Sequence, residues 1–544
     1  MNKLKIVELY KREYDGPKGT IIFMLAVKAV FSALLVVIVN ETAGIIARND
    51  FLEARYFFLY LIVFATIICT LYYSTTQVAI MAVKTVSRMR LRLTDKLRRA
   101  DLKFMEASGH GRIYARIAQD TDLLQHGTPE AFAVLDALLE CVALFIYFIF
   151  ISPAGFMIVL CFLFLVYGVF FMNYFIIHKK LNEARDKEAG FFDLLNDVLS
   201  GFKEIKINNR KNNDLFADIE QVSRDTEKLK KEGGFKNNQN IAIAYASFVG
   251  LLGTVVFVTP LFTDAQGETI IKLVAVVMFL FGSISQISYG FPYFMRLNAA
   301  VESMEKLEAD LDASGVSSFA DAETPVMVPD FQEITLKSVS FSYENGGGDP
   351  LFSLAPLDLT IRKGECLFIV GGNGSGKSTL MKLLTGLYYP ASDGCIMLDG
   401  QPVTLKNYQS YRELFSAIFT DFHMFKKLYG VESVDENEVK QLLRKMDIHR
   451  KTDYADEKFT NTDLSTGQRK RLAYIAAMLE DKPIYVFDEW AADQDPAFRK
   501  RFYETFLQDL RAMNKTVIAV SHDDRYFDKA DRVITMEEGR IRNH

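Results

Sequence analysis

The segment Gly371-Gly-Asn-Gly-Ser-Gly-Lys-Ser378 carries the residue types and spacing of a phosphate-binding loop. Glycines let such a chain curl until its backbone N–H groups face phosphate oxygens, at the positive end of the helix that follows. Gly371, Asn373, Gly374, Ser375 and Gly376 would form that cradle. Lys377 would reach the β- and γ-phosphates, Ser378 would ligate Mg²⁺, and Thr379 would add a phosphate hydrogen bond. A second apolar stretch, Ile484-Tyr-Val-Phe487, ends in Asp488-Glu489. Asp488 is placed to hold Mg²⁺. Glu489 is placed to orient and deprotonate water, because a carboxylate must stand opposite the leaving phosphate. Together these groups imply hydrolysis of a nucleotide, with ATP and Mg²⁺ as the expected cofactors.

These residues need strands that end beside one another. Cys366-Leu-Phe-Ile-Val370 is a short apolar strand running into Gly371, and Leu380–Leu384 continues as a helix. Val339-Ser-Phe-Ser-Tyr343 alternates like a strand. Val517-Ile-Ala-Val-Ser-His522 gives a further strand with a histidine at its end.

The first 300 residues read differently. Apolar runs occur at Ile21–Val39, Phe57–Tyr73, Ala131–Ile151, Ala154–Ile177, Ile241–Phe262 and Ile270–Phe294. Each approaches the ~20 residues that cross a ~30 Å hydrocarbon core. Six spans are therefore expected, the third and fourth joined by a tight turn at Ser152-Pro153. Lys84, Arg88, Arg90, Arg92, Lys96, Arg98 and Arg99 crowd the segment after the second run. Lys179, Lys180, Arg185, Lys187, Lys203 and Lys206 crowd the one after the fourth. Thr263–Glu268 holds only the acids Asp264 and Glu268, so the long segments and both termini are assigned to the cytoplasm. Lys28, Asp136 and Glu140 lie within or near the spans, where charges are functional candidates.

The charge balance is near neutral through Asp310 and acidic beyond it, with a net charge of −5 overall. A basic surface for nucleic acid is not expected. The five cysteines show no CxxC or Cys/His spacing, which argues against a disulfide framework or a zinc site. Met1–Thr20 is polar and lacks a cleavage-type site, so no removable signal peptide is expected. Ala313-Ser-Gly-Val-Ser-Ser318, Pro325 and Pro329 mark a linker. The expected division is a membrane domain at 1–310 with long cytoplasmic helical extensions, a linker at 311–330 and a nucleotide-binding domain at 331–544.

Between the loop and the Asp-Glu pair lies Leu464-Ser-Thr-Gly-Gln468. The order of loop, this segment and Asp-Glu, after six apolar runs, resembles the ABC transporter family, exporter-type half-transporters in particular. The resemblance implies a fold of six transmembrane helices followed by an α/β P-loop ATPase, and a homodimer in the lipid bilayer. In that family Ser465, Gly467 and Gln468 open a helix and meet the γ-phosphate held by the other subunit. Thr466 replaces the usual glycine. By the same resemblance Tyr343 would stack under adenine, Asp495 would lie in the loop that crosses the dimer interface, and His522 would contact the γ-phosphate. The family's Mg²⁺-sensing glutamine falls at Thr420 or Asp421, and either could take its role. Gly111–Asp120 and Asp197–Lys206 would be the segments that couple membrane and motor.

Phe487-Asp-Glu-Trp-Ala-Ala-Asp-Gln-Asp-Pro496, Phe415-Ser-Ala-Ile-Phe419 and Leu464-Ser-Thr-Gly-Gln-Arg-Lys-Arg-Leu472 look like the bacterial cyclic-peptide and siderophore-peptide exporters. That would imply outward movement of a peptide-derived compound across a bacterial inner membrane. A lipid or lipid-linked-sugar flippase shares every ATPase motif and stands as the alternative. An ATP-gated membrane protein without transport would lack Glu489 or the Ser465 segment, and both are present. Trp490 adjoins the expected general base, which places its indole near the motor dimer interface.

Overall fold

The computed structural model describes residues 5–262, 267–314, 331–344, 350–391, 393–431 and 433–542. Most of the expected linker, and Asp264, lie outside these residues. The chain forms two compact units, Met1–Arg92 with Tyr114–Lys306 and Leu93–Ile113 with Leu307–His544.

The first unit is helical. Lys18–Ala47, Ala54–Leu97, Arg116–Ile151, Tyr245–Phe262 and Gly267–Ala313 are long and apolar enough to cross a membrane. Ala154–Ile177 lies on the helix Pro153–Ser200, whose described apolar part, Pro153–Gly168, is shorter. Ser152 makes the expected tight turn between the third and fourth runs. Its hydroxyl accepts from Gly155 N at 3.1 Å, and Pro153 takes the first-turn position where no N–H is needed. Ala33, Val36, Leu144, Phe148, Val255 and Val277 pack into a dry core. Phe57, Phe58, Ile62 and Phe64 stay exposed on Ala54–Leu97, a face that lipid rather than water would satisfy.

Two breaks interrupt the long helices. At Gly109 the backbone turns to φ 74°, separating the short helix Leu102–Ser108 from His110–Ile151. The expected coupling segment Gly111–Asp120 is therefore the start of a long helix, and the separate short helix lies just before it. Gly with positive φ stops a helix at no steric cost, so the break falls on Gly109 rather than Gly111. Asp197–Lys206 runs through the break at Gly201 into the short helix Phe202–Ile207.

The second unit is α/β. Its main sheet orders Arg540–Arg542, Arg532–Glu537, Cys366–Gly371, Thr516–Val520, Ile484–Asp488 and Phe415–Ile418. All pair in parallel except the Arg540–Arg542 edge. A parallel sheet brings the carboxyl ends of its strands to one edge. Val520 pairs with both Ile369 and Asp488, so Gly371, Glu489 and His522 emerge side by side. An antiparallel sheet of Pro350–Arg362, Glu333–Glu344, Cys395–Leu398 and Gln401–Pro402 completes the unit. Leu102–Ser108 packs within this unit. Leu102 touches its core, and Glu106 pairs with Lys382 at 2.7 Å and accepts from the Tyr388 hydroxyl.

Candidate active site

The strand Cys366–Gly371 is almost wholly buried and delivers the chain to the helix Lys377–Leu384. Gly374 and Gly376 hold φ of 78° and 100°, which bends the loop over the helix start. A Cβ on Gly371 would lie 2.2 Å from Met536 O, so only glycine passes there. Lys377 is buried and its Nζ donates to Gly371 O and Gly372 O, both at 2.9 Å. The ammonium thus spans the loop, placed for a polyphosphate to replace its carbonyl partners. Ser375 Oγ is buried without a hydrogen bond among the described residues, a donor poised for phosphate. Asn373 and Thr379 complete the loop and the first helical turn.

Ser378 Oγ donates to Asp488 Oδ2 at 3.3 Å. Asp488 Oδ1 is buried and has no hydrogen-bond partner among the described residues. Burial raises the Asp488 carboxyl above its ordinary value, and the charge of Glu489 adds to the rise. An unpartnered carboxylate oxygen beside a hydroxyl is the hard oxygen donor set that suits Mg²⁺. Both Thr420 and Asp421 are exposed, and Thr420 Oγ1 reaches Asp488 O at 3.3 Å. Of the two alternatives, Thr420 is the one beside Asp488.

Glu489 sits in the left-handed region, φ 51° and ψ 36°. Its Oε1 lies 2.9 Å from His522 Nε2, and the pair is open to solvent at 32% and 45% exposure. A base joined to a histidine at the open end of parallel strands can hold a water in line with a bound phosphate.

Tyr343, expected to stack under adenine, is held by its neighbours. Its hydroxyl donates to Tyr388 OH at 3.1 Å, and its ring meets Phe341 edge-on at 5.1 Å. Phe352 comes within 3.0 Å of a Cβ built on Gly376, so it too borders the loop.

Ser465 caps the helix Thr466–Glu480 in a reciprocal box. Gln468 N donates to Ser465 Oγ at 3.4 Å and Ser465 N to Gln468 Oε1 at 3.3 Å. Gly467 is needed for close approach, because a Cβ there would meet Asp493 O at 2.5 Å. Gln494 Nε2 donates to Gly467 O at 3.0 Å. Asp495 caps the helix Pro496–Arg501, accepting from Phe498 N at 2.9 Å, and pairs with Arg471 at 2.7 Å. The Phe498 N–H, then Arg471, hold its carboxyl below the ordinary range. Asp495 is thus held by its own chain. Lys470, Arg471 and Gln494 escaped the sequence reading, which treated Arg469-Lys-Arg471 only as a family mark.

Trp490 is a correction. It is 1% exposed, stacks on Phe502 at 4.6 Å, and donates Nε1–H to Lys470 O at 2.9 Å. An indole has more apolar area to bury than a rim offers, so it fills its own domain's core rather than an interface.

In the membrane unit, Lys28 pairs with Asp136 at 2.6 Å and lies 3.7 Å from Glu140. The three charges found in the sequence form one cluster.

The ABC transporter transmembrane region model matches residues 19–287, and the ABC transporter model matches 354–492. The ATP-binding protein SyrD of Pseudomonas syringae pv. syringae is 31% identical over 85% of this chain and 83% of its own. The chain belongs to the ABC transporter family. The subtilin transport ATP-binding protein SpaT of Bacillus subtilis is 25% identical over 68% of this chain and 61% of its own. The ATP-dependent lipid A-core flippase of Ralstonia nicotianae is 29% identical over 38% of this chain and 37% of its own. This ABC transporter is an exporter-type half-transporter, a multi-pass membrane protein with a transport ATPase that binds ATP.

Proposed function

We propose that the protein is a homodimeric exporter of a peptide-derived compound in the inner membrane of a bacterium. One chain supplies one membrane unit and one ATPase, and Ser465, Gly467 and Gln468 make no described contact with the 371–378 loop. A second copy completes each ATP site, with the loop of one chain facing the Ser465 helix of the other. Lys377 and the loop N–H groups bind the phosphates. Ser378 and Asp488 would hold Mg²⁺ with Thr420 beside them, and the ion would supply charge neutralisation at the phosphates. Glu489 accepts the proton of the attacking water, and His522 keeps that carboxylate in place while contacting the γ-phosphate. Closing on ATP would open the cavity outward; hydrolysis would release it.

The observation that carries transport is the intact hydrolytic set, Lys377, Ser378, Asp488, Glu489 and His522, joined to an apolar helical unit. For the substrate class, the match to the subtilin transport protein extends over 68% of the chain and so into the membrane unit. The flippase match covers 38%, close to the ATPase portion alone. The test is ATPase activity in lipid nanodiscs across peptides, siderophores and lipids. Stimulation by cyclic or siderophore peptides is expected. Stimulation by lipid headgroups alone would make the protein a flippase, and no response to any substrate would favour gating without transport.

A further inference from the structure

Lys470 is a lysine with 1% exposure in the middle of a catalytic domain. A buried ammonium persists only when its donors are used. Its Nζ donates to Glu489 O at 2.7 Å and pairs with Asp493 Oδ2 at 2.7 Å. The turn answers through Trp490 Nε1, which donates to Lys470 O at 2.9 Å. One residue of the Ser465 helix therefore grips the turn Glu489–Asp493 at both ends and is gripped back from its middle. The turn needs holding, because Glu489 has φ 51°, a region non-glycine residues keep only when neighbours enforce it. Gly467 and Gln494 tie the same helix to the end of the turn, but they touch neither Glu489 nor its carbonyl.

We propose that Lys470 is a positioning residue for hydrolysis: it fixes the left-handed backbone of Glu489 and so aims the carboxylate at the attacking water and His522. Lys470, buried within its own domain, acts through Glu489. The proposal rests on the reading of Glu489 as general base. It differs from a role in supporting the helix start at Ser465, about 7.5 Å away along the axis at 1.5 Å per residue.

The test uses the full-length transporter in nanodiscs. Lys470→Met keeps length and apolar bulk but removes the donors. Its kcat should fall at least tenfold with the KM for ATP within threefold of the parent. Lys470→Gln keeps a donor and should recover at least threefold over Lys470→Met. In a Glu489→Gln background, adding Lys470→Met should leave ATP retention unchanged within twofold, because its target is already disabled. A kcat within threefold of the parent for Lys470→Met overturns the proposal. So does loss of ATP retention in the double variant, which would assign Lys470 to the nucleotide-bound dimer instead. If Lys470→Met loses its cooperative melt, Asp493→Asn reads the same contact from the other side; it should lower kcat at constant KM, and an unchanged kcat overturns the proposal. Parental turnover by Glu489→Gln alone would instead refute Glu489 as the base.

Discussion

The phosphate cradle and the catalytic turn sit at the ends of two strands that flank Thr516–Val520, but are built by opposite means. The cradle, 371–378, is shaped by backbone: positive-φ glycines, a Gly371 with no room for Cβ, and a lysine clipped to loop carbonyls. The turn, 489–495, is shaped by side chains from elsewhere: Lys470, Arg471, Arg499 and His522 all reach into it. A backbone-built site is fixed once its glycines are in place. A side-chain-built site can be loosened at many positions and can respond to the helix that supplies its partners.

That contrast can be probed from its strongest consequence downward. Asp488 lies where the two regions meet, and Asp488→Asn removes the charge that would hold Mg²⁺. Turnover should fall by at least about 100-fold, on the scale of losing a principal electrostatic group. The ATP-free protein should nevertheless become more stable at neutral pH, because asparagine carries no buried charge to desolvate. The sign follows from the raised folded-state carboxyl. The folded state binds the proton more tightly than the unfolded one, so this group costs stability once pH rises past the carboxylate range. The gain from asparagine should shrink as pH is lowered toward the ordinary 3.8. Thermal melts of both proteins across pH check it, and a melt lowered at neutral pH would contradict it.

Ser465→Ala removes the cap that starts the signature helix, worth about 0.5–2 kcal/mol. ATP binding at Lys377 should survive while kcat drops about tenfold, measured by nucleotide titration beside steady-state hydrolysis. Gly467→Asp is a less clean probe, because any Cβ at 467 strikes Asp493 O in the catalytic turn. The smallest effect on turnover is expected from Trp490→Phe, which keeps most core packing but loses the bond to Lys470 O. Stability should fall by about 1–3 kcal/mol, with kcat reduced only a few-fold. In the parent, Trp490 emission should be that of a buried indole and indifferent to saturating ATP. A spectrum that shifts with ATP would place it nearer the moving surface than the core packing allows.

The same contrast explains what the sequence made legible. Cradle residues are contiguous, and each is chosen by a local backbone demand, so 371–378 could be read directly. Strand ends at Asp488 and His522 were readable because apolar runs stop there. The partners of the turn come from other elements, from 7 positions away for Arg499 to 33 for His522. Nothing local marks Lys470 as buried, or Trp490 as core rather than rim. Thr420 and Asp421 stayed open for the same reason, until the strand Phe415–Ile418 set one of them beside Asp488. In the membrane unit, run length announced helices, but the break at Gly109 and the meeting of Lys28 with Asp136 depend on packing that periodicity does not encode.

The most direct test of the account is ATP turnover and retention by Glu489→Gln in full-length transporter reconstituted in nanodiscs. The amide keeps shape but cannot take the proton of water, so hydrolysis should fall by about 100-fold or more. Radiolabelled ATP should remain bound, at two per dimer, after rapid gel filtration with Mg²⁺. Hydrolysis at the parental rate would contradict the account by removing Glu489 from catalysis.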